Sequence, residues 1–123
     1  MDTTELIDRY CDAWNEPDAA RRAALLERVW AAGAHYTDPS AHAAGSGELL
    51  AHIARVQARR PGGKVLRSSA VDIHHGVARF AWRATDATGA TLAEGIDLAF
   101  VSADGSSIER VIGFFGPLAP RAT

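Results

Sequence analysis

A chain of 123 residues leaves room for one domain, spanning 1–123, and little more. With 47% hydrophobic and 23% charged residues it has the composition of a globular protein with a real core, which excludes a disordered or collagen-like chain. Its 13 basic and 15 acidic side chains give a net charge of −2, and no basic run stands out, so no nucleic-acid partner is expected.

The elements follow in chain order. Leu6, Ile7, Tyr10, Cys11 and Trp14 recur at helical spacing, which predicts an amphipathic helix over 4–16, capped by Thr3 or Thr4 and stopped before Pro17. Asp18 is positioned to cap a second helix through Leu25, Val29 and Trp30, ending near Gly33. His35-Tyr36-Thr37-Asp38 reads as a short extended piece running into Pro39, which biases Asp38 away from helical geometry. The glycine-bearing loop 44–47 then leads into a third helix with Leu49, Leu50, Ile53 and Val56 on its apolar face, closed by Arg59-Arg60-Pro61-Gly62-Gly63.

Beyond residue 63 the period changes from helical to alternating. Strands are expected over 64–73, 77–85, 92–101 and 108–115, separated by turns at His74-His75-Gly76, Asp86 to Gly89 and Asp104-Gly105. Turns this short join antiparallel neighbours, so the plan is α+β: three helices over one face of a curved antiparallel sheet.

The strand 91–101 is the most informative segment. One face reads Ala93, Gly95, Asp97, Ala99, Val101, and the other Leu92, Glu94, Ile96, Leu98, Phe100. Small residues and a carboxyl on one side suggest a wall of a cavity. The bulky apolar row on the other side suggests contact with a second subunit, hence a homodimer.

No apolar stretch reaches the roughly 18 residues that span a bilayer, so no membrane partner is expected. The acidic N-terminus is unlike a signal peptide. A single cysteine, Cys11, forbids an intrachain disulfide and suits a cytoplasmic setting. It lacks an evident activating base and reads as a buried inert thiol. No metal-ligand spacing is present, and no cofactor is expected.

Arg9-Tyr10 with Trp14-Asn15, Tyr36-Thr37-Asp38-Pro39, the glycine loop before the third helix, Gly95-Ile96-Asp97 and the closing Gly113-Phe114-Phe115-Gly116 carry a resemblance. In this order and spacing the chain resembles the nuclear transport factor 2-like superfamily, in its SnoaL-like and ketosteroid-isomerase-like branch, from Leu6 to about Pro117. That resemblance implies a cystatin-like, cone-shaped fold, with the sheet wrapped around a long helix and a pocket at the wide end. It also implies roles for three residues: Asp38 as general base, and Tyr10 and a protonated Asp97 as donors to an oxyanion. In ketosteroid isomerase the two carboxyls have widely separated pKa values, and the resemblance implies the same division here. Polyketide cyclases of this fold place an acid in the final strand, where this chain has Val111-Ile112-Gly113-Phe114. Hydrolases of the limonene-epoxide type need an arginine where Gly95 stands, and the paired histidines of the scytalone-dehydratase type have no placed counterpart.

The chemistry implied is proton abstraction next to a carbonyl and delivery to another carbon, on a hydrophobic small molecule. Trp14, Trp30, Tyr36, Trp82 and Phe115 are the expected walls of the substrate pocket. His52 lies on the third helix, with its reach toward the pocket left open, and His74 and His75 are read as solvent-facing. The other functional readings are a non-catalytic ligand- or partner-binding domain and a cyclase or hydrolase of the same fold.

Overall fold

The structure is a computed structural model and describes residues 1–122. Three helices, α1 (Thr3–Asn15), α2 (Ala19–Glu27) and α3 (Gly45–Arg59), pack on seven strands. The strands are β1 (Trp30–Asp38), β2 (Ala41–Ala44), β3 (Lys64–Arg67), β4 (Asp72–His74), β5 (Val77–Thr85), β6 (Thr91–Val101) and β7 (Ile108–Phe115). They form one curved, open sheet in the order β2-β1-β7-β6-β5-β3, with β4 also on β5. The fold class is α+β, as the sequence indicates.

Four local readings change. The α1 cap is Asp2, whose carboxylate accepts from the Glu5 N–H at 2.8 Å, one or two residues earlier than Thr3 or Thr4. Helix α2 stops at Glu27, and Trp30 opens β1 instead of extending the helix to Gly33. The cause is long-range pairing: the Val29 carbonyl accepts from the Ile108 N–H at 2.7 Å, and Trp30 pairs with Ile108. This β1–β7 pair is parallel, so the otherwise antiparallel sheet is mixed.

The expected strand 64–73 is two strands. β3 ends at Arg67 opposite Trp82 and β4 resumes at Asp72 opposite Arg79, so five steps on one strand face three on β5. The Ser69 hydroxyl repairs the gap by accepting the Ala81 N–H at 2.7 Å. The loop before α3 is shorter than expected, because β2 runs to Ala44 and Gly45 already belongs to the helix.

Polar clamps hold the helices on the sheet. Asn15 donates to the Val65 carbonyl at 2.9 Å and accepts the Val65 N–H at 2.7 Å, fixing the end of α1 to β3. Arg67 holds Asp8 with two bonds, at 2.7 and 3.0 Å. Gln57 on α3 donates to the carbonyls of Trp14 and Glu16 and accepts from Arg22, tying the three helices together. These ties set where Tyr10 and Trp14 point.

Candidate functional site

Between the helices and the concave face of the sheet lies a cavity of about 490 Å³, a size suited to a small organic ligand. Each element contributes at positions its periodicity dictates. Tyr10, Cys11 and Trp14 come from one face of α1, His52 and Val56 from α3, and Phe80, Trp82 and Ala84 from alternate positions of β5. Tyr36 and Asp38 come from β1, Ala93 and Asp97 from β6, and Phe115 from the end of β7. Arg59, Arg60 and Glu94 also line it.

All three residues singled out for proton chemistry therefore face one cavity, as do Trp14, Tyr36, Trp82 and Phe115. Trp30 does not. It is buried behind Tyr10, the two rings stacked with centroids 5.8 Å apart and planes 13° from parallel. Its place at the start of β1 turns it under α1 and away from the ligand space. It supports Tyr10 and is not part of the wall.

Asp97 sits on the small-residue face of β6, buried, with Gly95 and Ala99 on either side along the strand. The Trp82 indole N–H donates to its Oδ1 at 2.8 Å. No Lys or Arg pairs with it among the described residues. Burial pushes its pKa up to about 7; the Trp82 bond opposes the shift and the Asp38 charge adds to it. The acid is thus poised to hold a proton near neutrality.

Asp38 has the opposite environment. Tyr36 donates to Oδ2 at 2.6 Å, and the Ser40 N–H and hydroxyl donate to Oδ1 at 2.7 and 2.8 Å. His52 Nε2 lies 3.8 Å from Oδ2. Burial pulls this carboxyl upward, but His52, Tyr36 and Ser40 together outweigh it and hold Asp38 well below the usual carboxylate range. One carboxyl is kept ionised and its neighbour is pushed toward neutrality.

Tyr10 lines this cavity, and its hydroxyl is buried without a hydrogen-bond partner. Burial first, and then the Asp97 charge, push its ionisation far above the ordinary phenol value, so it remains a donor. A buried, unpaired donor costs free energy unless something accepts from it. Tyr36 is also held protonated, chiefly by burial and further by its neighbours, with its proton committed to Asp38. Burial pushes the Cys11 thiol up to about 12, which fits the inert reading.

His52 completes the wall. Its ring is buried 5.7 Å from both Trp14 and Tyr36, edge-on to the first and tilted to the second. The helical pattern puts position 52 beside Leu49 and Ile53 on the covered side of α3, and that was the available signal. Ser40 is a residue the pattern could not reveal, since it acts through the tight turn between β1 and β2. Among the described residues no group of three or more His, Cys, Asp or Glu side chains is arranged to hold a metal ion.

No protein-family model matches the sequence, and no curated protein matches it. Solved structures do. A candidate isomerase of the SnoaL-like family from Agrobacterium tumefaciens str. C58 is 30% identical, with a TM-score of 0.86 over 93% of this chain and 97% of that one. A candidate SnoaL-like polyketide cyclase from Jannaschia sp. CCS1 is 12% identical, with a TM-score of 0.72 over 92% and 84%. An NTF2-like protein of unknown function from Mesorhizobium loti is 20% identical, with a TM-score of 0.68 over 94% and 91%. The latter two likenesses bear on the fold alone.

Proposed function

The chain belongs to the SnoaL-like family of the nuclear transport factor 2-like superfamily, and from that premise we propose that it catalyses proton transfer next to the carbonyl of a hydrophobic small molecule. One observation carries this reading: Tyr10, whose buried hydroxyl has no partner, and Asp97, a buried carboxyl poised to keep its proton, line the same largely apolar cavity. Two donors on a largely apolar wall suit an oxygen that gains negative charge as a carbon loses its proton. The proton acceptor comes from the corner where Asp38 and His52 meet. The electron pair of the broken C–H bond then passes to the carbonyl oxygen as an enolate, held by Tyr10 and neutral Asp97, until the proton returns at another carbon.

A phenolate places its charge on oxygen bound to an sp² carbon, as an enolate does, so 2-naphthol serves as a binding probe. Its affinity is expected to fall about 10-fold or more in Tyr10→Phe and in Asp97→Ala, the scale of one lost hydrogen bond to a charged group. Exchange of the α-protons of 2-tetralone in heavy water, followed by proton NMR, tests turnover. Asp97→Ala is expected to slow it by about 10²-fold or more. Binding of 2-naphthol unaffected by both substitutions, with no catalysed exchange, would favour a ligand-binding domain instead.

For the outer sheet face we propose a second copy of this chain as the partner. Ile96 is 42% exposed and Phe114, its register partner on β7, is 59% exposed, with Leu98 and Phe100 continuing the row. Arginines 79, 83 and 110 stand at register positions around this strip, giving an apolar centre with a charged rim.

A further inference from the structure

We infer that His52 is the group that takes and returns the substrate proton, and that Asp38 positions its imidazole. This rests on the proton-transfer reading above and assigns its carrier. The two side chains share one corner of the cavity but differ in what remains available on each. Asp38 is only 4% exposed as a side chain, and both its oxygens already accept bonds from Tyr36 and Ser40. A carboxylate accommodates about four hydrogen bonds in all. Three are taken from within residues 36–40, and the remaining side of Oδ2 faces His52.

A carbon acid would have to displace Tyr36 or Ser40 to reach Asp38. The His52 side chain is almost as buried, 7% exposed, but its ring is not occupied by the Tyr36 and Ser40 donors that hold Asp38. Its Nε2 faces Asp38 Oδ2 at 3.8 Å, and its ring stands in the wall between Trp14 and Tyr36. The flanking aromatic rings limit its rotation, and the Asp38 carboxylate 3.8 Å from Nε2 gives the imidazolium a counter-charge when the proton arrives. A carboxylate already accepting three hydrogen bonds has little basicity left for a carbon-bound proton.

The arrangement divides the labour across the cavity. When the C–H bond next to the carbonyl breaks, its electron pair moves to the oxygen facing Tyr10 and Asp97 and its proton goes to the His52 ring. Return of that proton to a different carbon restores neutral His52 and completes an isomerisation with no co-reactant.

An α-bromoketone reports which side chain reaches the carbon next to a bound carbonyl. With 2-bromo-2′-acetonaphthone, the imidazole nitrogen displaces bromide: an N–C bond forms, the C–Br bond breaks, and the ring proton is lost to solvent. Peptide mass mapping of the full chain is expected to find the adduct on His52 and to show protection by 2-naphthol. The exposed His35, His42, His74 and His75 should react without protection. His52→Gln should abolish the protected adduct and lower tetralone exchange by about 10²-fold or more, whereas Asp38→Asn should slow both and leave the adduct on residue 52. An adduct on Asp38, or a His52 left unmodified while the surface histidines react, overturns the assignment. If 2-naphthol fails to bind at all, the proton-transfer reading itself falls, which the protection arm detects independently.

Discussion

Asp38 and Asp97 stand on either side of Gly113, on strands two apart in the sheet. Asp97 pairs directly with Gly113, and Thr37 pairs with Ile112, one residue earlier on each strand. The missing side chain at 113 leaves the space in which the two carboxyls coexist. A Cβ there would lie 2.8 Å from Asp97 Oδ1 and 3.4 Å from Asp38 Cβ.

Gly113→Ala therefore displaces the Asp97 carboxyl from the Trp82 indole while leaving the backbone unstrained. We expect a folded protein, destabilised by about 1–3 kcal/mol through overpacking, with weaker 2-naphthol binding. Thermal unfolding and a binding titration check both. An unchanged affinity would mean that Asp97 does not meet the ligand.

Asn15→Ala removes both bonds to the Val65 peptide and leaves that half-buried N–H and carbonyl without partners. A loss of about 1–3 kcal/mol is expected from denaturant unfolding, because unsatisfied peptide groups cost more than a surface bond contributes. Trp14, the preceding residue, should loosen as well, visible as faster exchange of its indole proton.

Phe114→Glu places a charge at the centre of the exposed apolar strip without touching the cavity face. Sedimentation is expected to convert a dimer of this chain into a monomer that still binds 2-naphthol. A wild-type chain that sediments as a monomer at micromolar concentration would remove the second copy from the proposal.

The strands were legible in the sequence because the period-two pattern of β6 states both its faces outright: small residues with Asp97 inside, Ile96 and Phe100 outside. The Asp2 cap, the break after Arg67 and the strand start at Trp30 were not. Each depends on a partner distant in sequence or on competition between adjacent caps, which local propensity does not register. The site divides in the same way. Tyr10, Asp38 and Asp97 could be placed through family motifs. Trp30 could not be separated from the pocket tryptophans, because an aromatic at core spacing reads alike whether it faces a ligand or backs another ring. His52 remained open because helix periodicity gives a face and does not say what lies across from it.

The pH response of Asp97 is the most direct physical consequence of the fold. Burial raises its pKa to about 7, above the value it regains on unfolding. Between about pH 4 and pH 7 the folded chain therefore binds a proton that the unfolded chain has released. Stability falls as pH rises through this window, by up to about 1.4 kcal/mol per unit, and the penalty is complete above pH 7. Asp38 has the opposite sign: its stabilisation is present above the unfolded carboxylate range and is lost only under strong acid, so it does not mask the effect. Asp97→Asn copies the protonated acid in shape, keeps an oxygen for the Trp82 N–H and cannot ionise. The variant should match wild type at and below about pH 4, gain on it steadily to about pH 7 and level off above that, the difference in Tm reaching several times the roughly 4 °C that 1 kcal/mol gives in a domain of this size. The indole N–H resonance of Trp82, bonded to Oδ1 at 2.8 Å, should titrate near 7 in wild type and stay flat in the variant. Binding of 2-naphthol should fall above that midpoint only in wild type, as the neutral donor is lost. A Trp82 resonance that titrates near pH 4 would place an ionised Asp97 in the cavity and remove it as a donor.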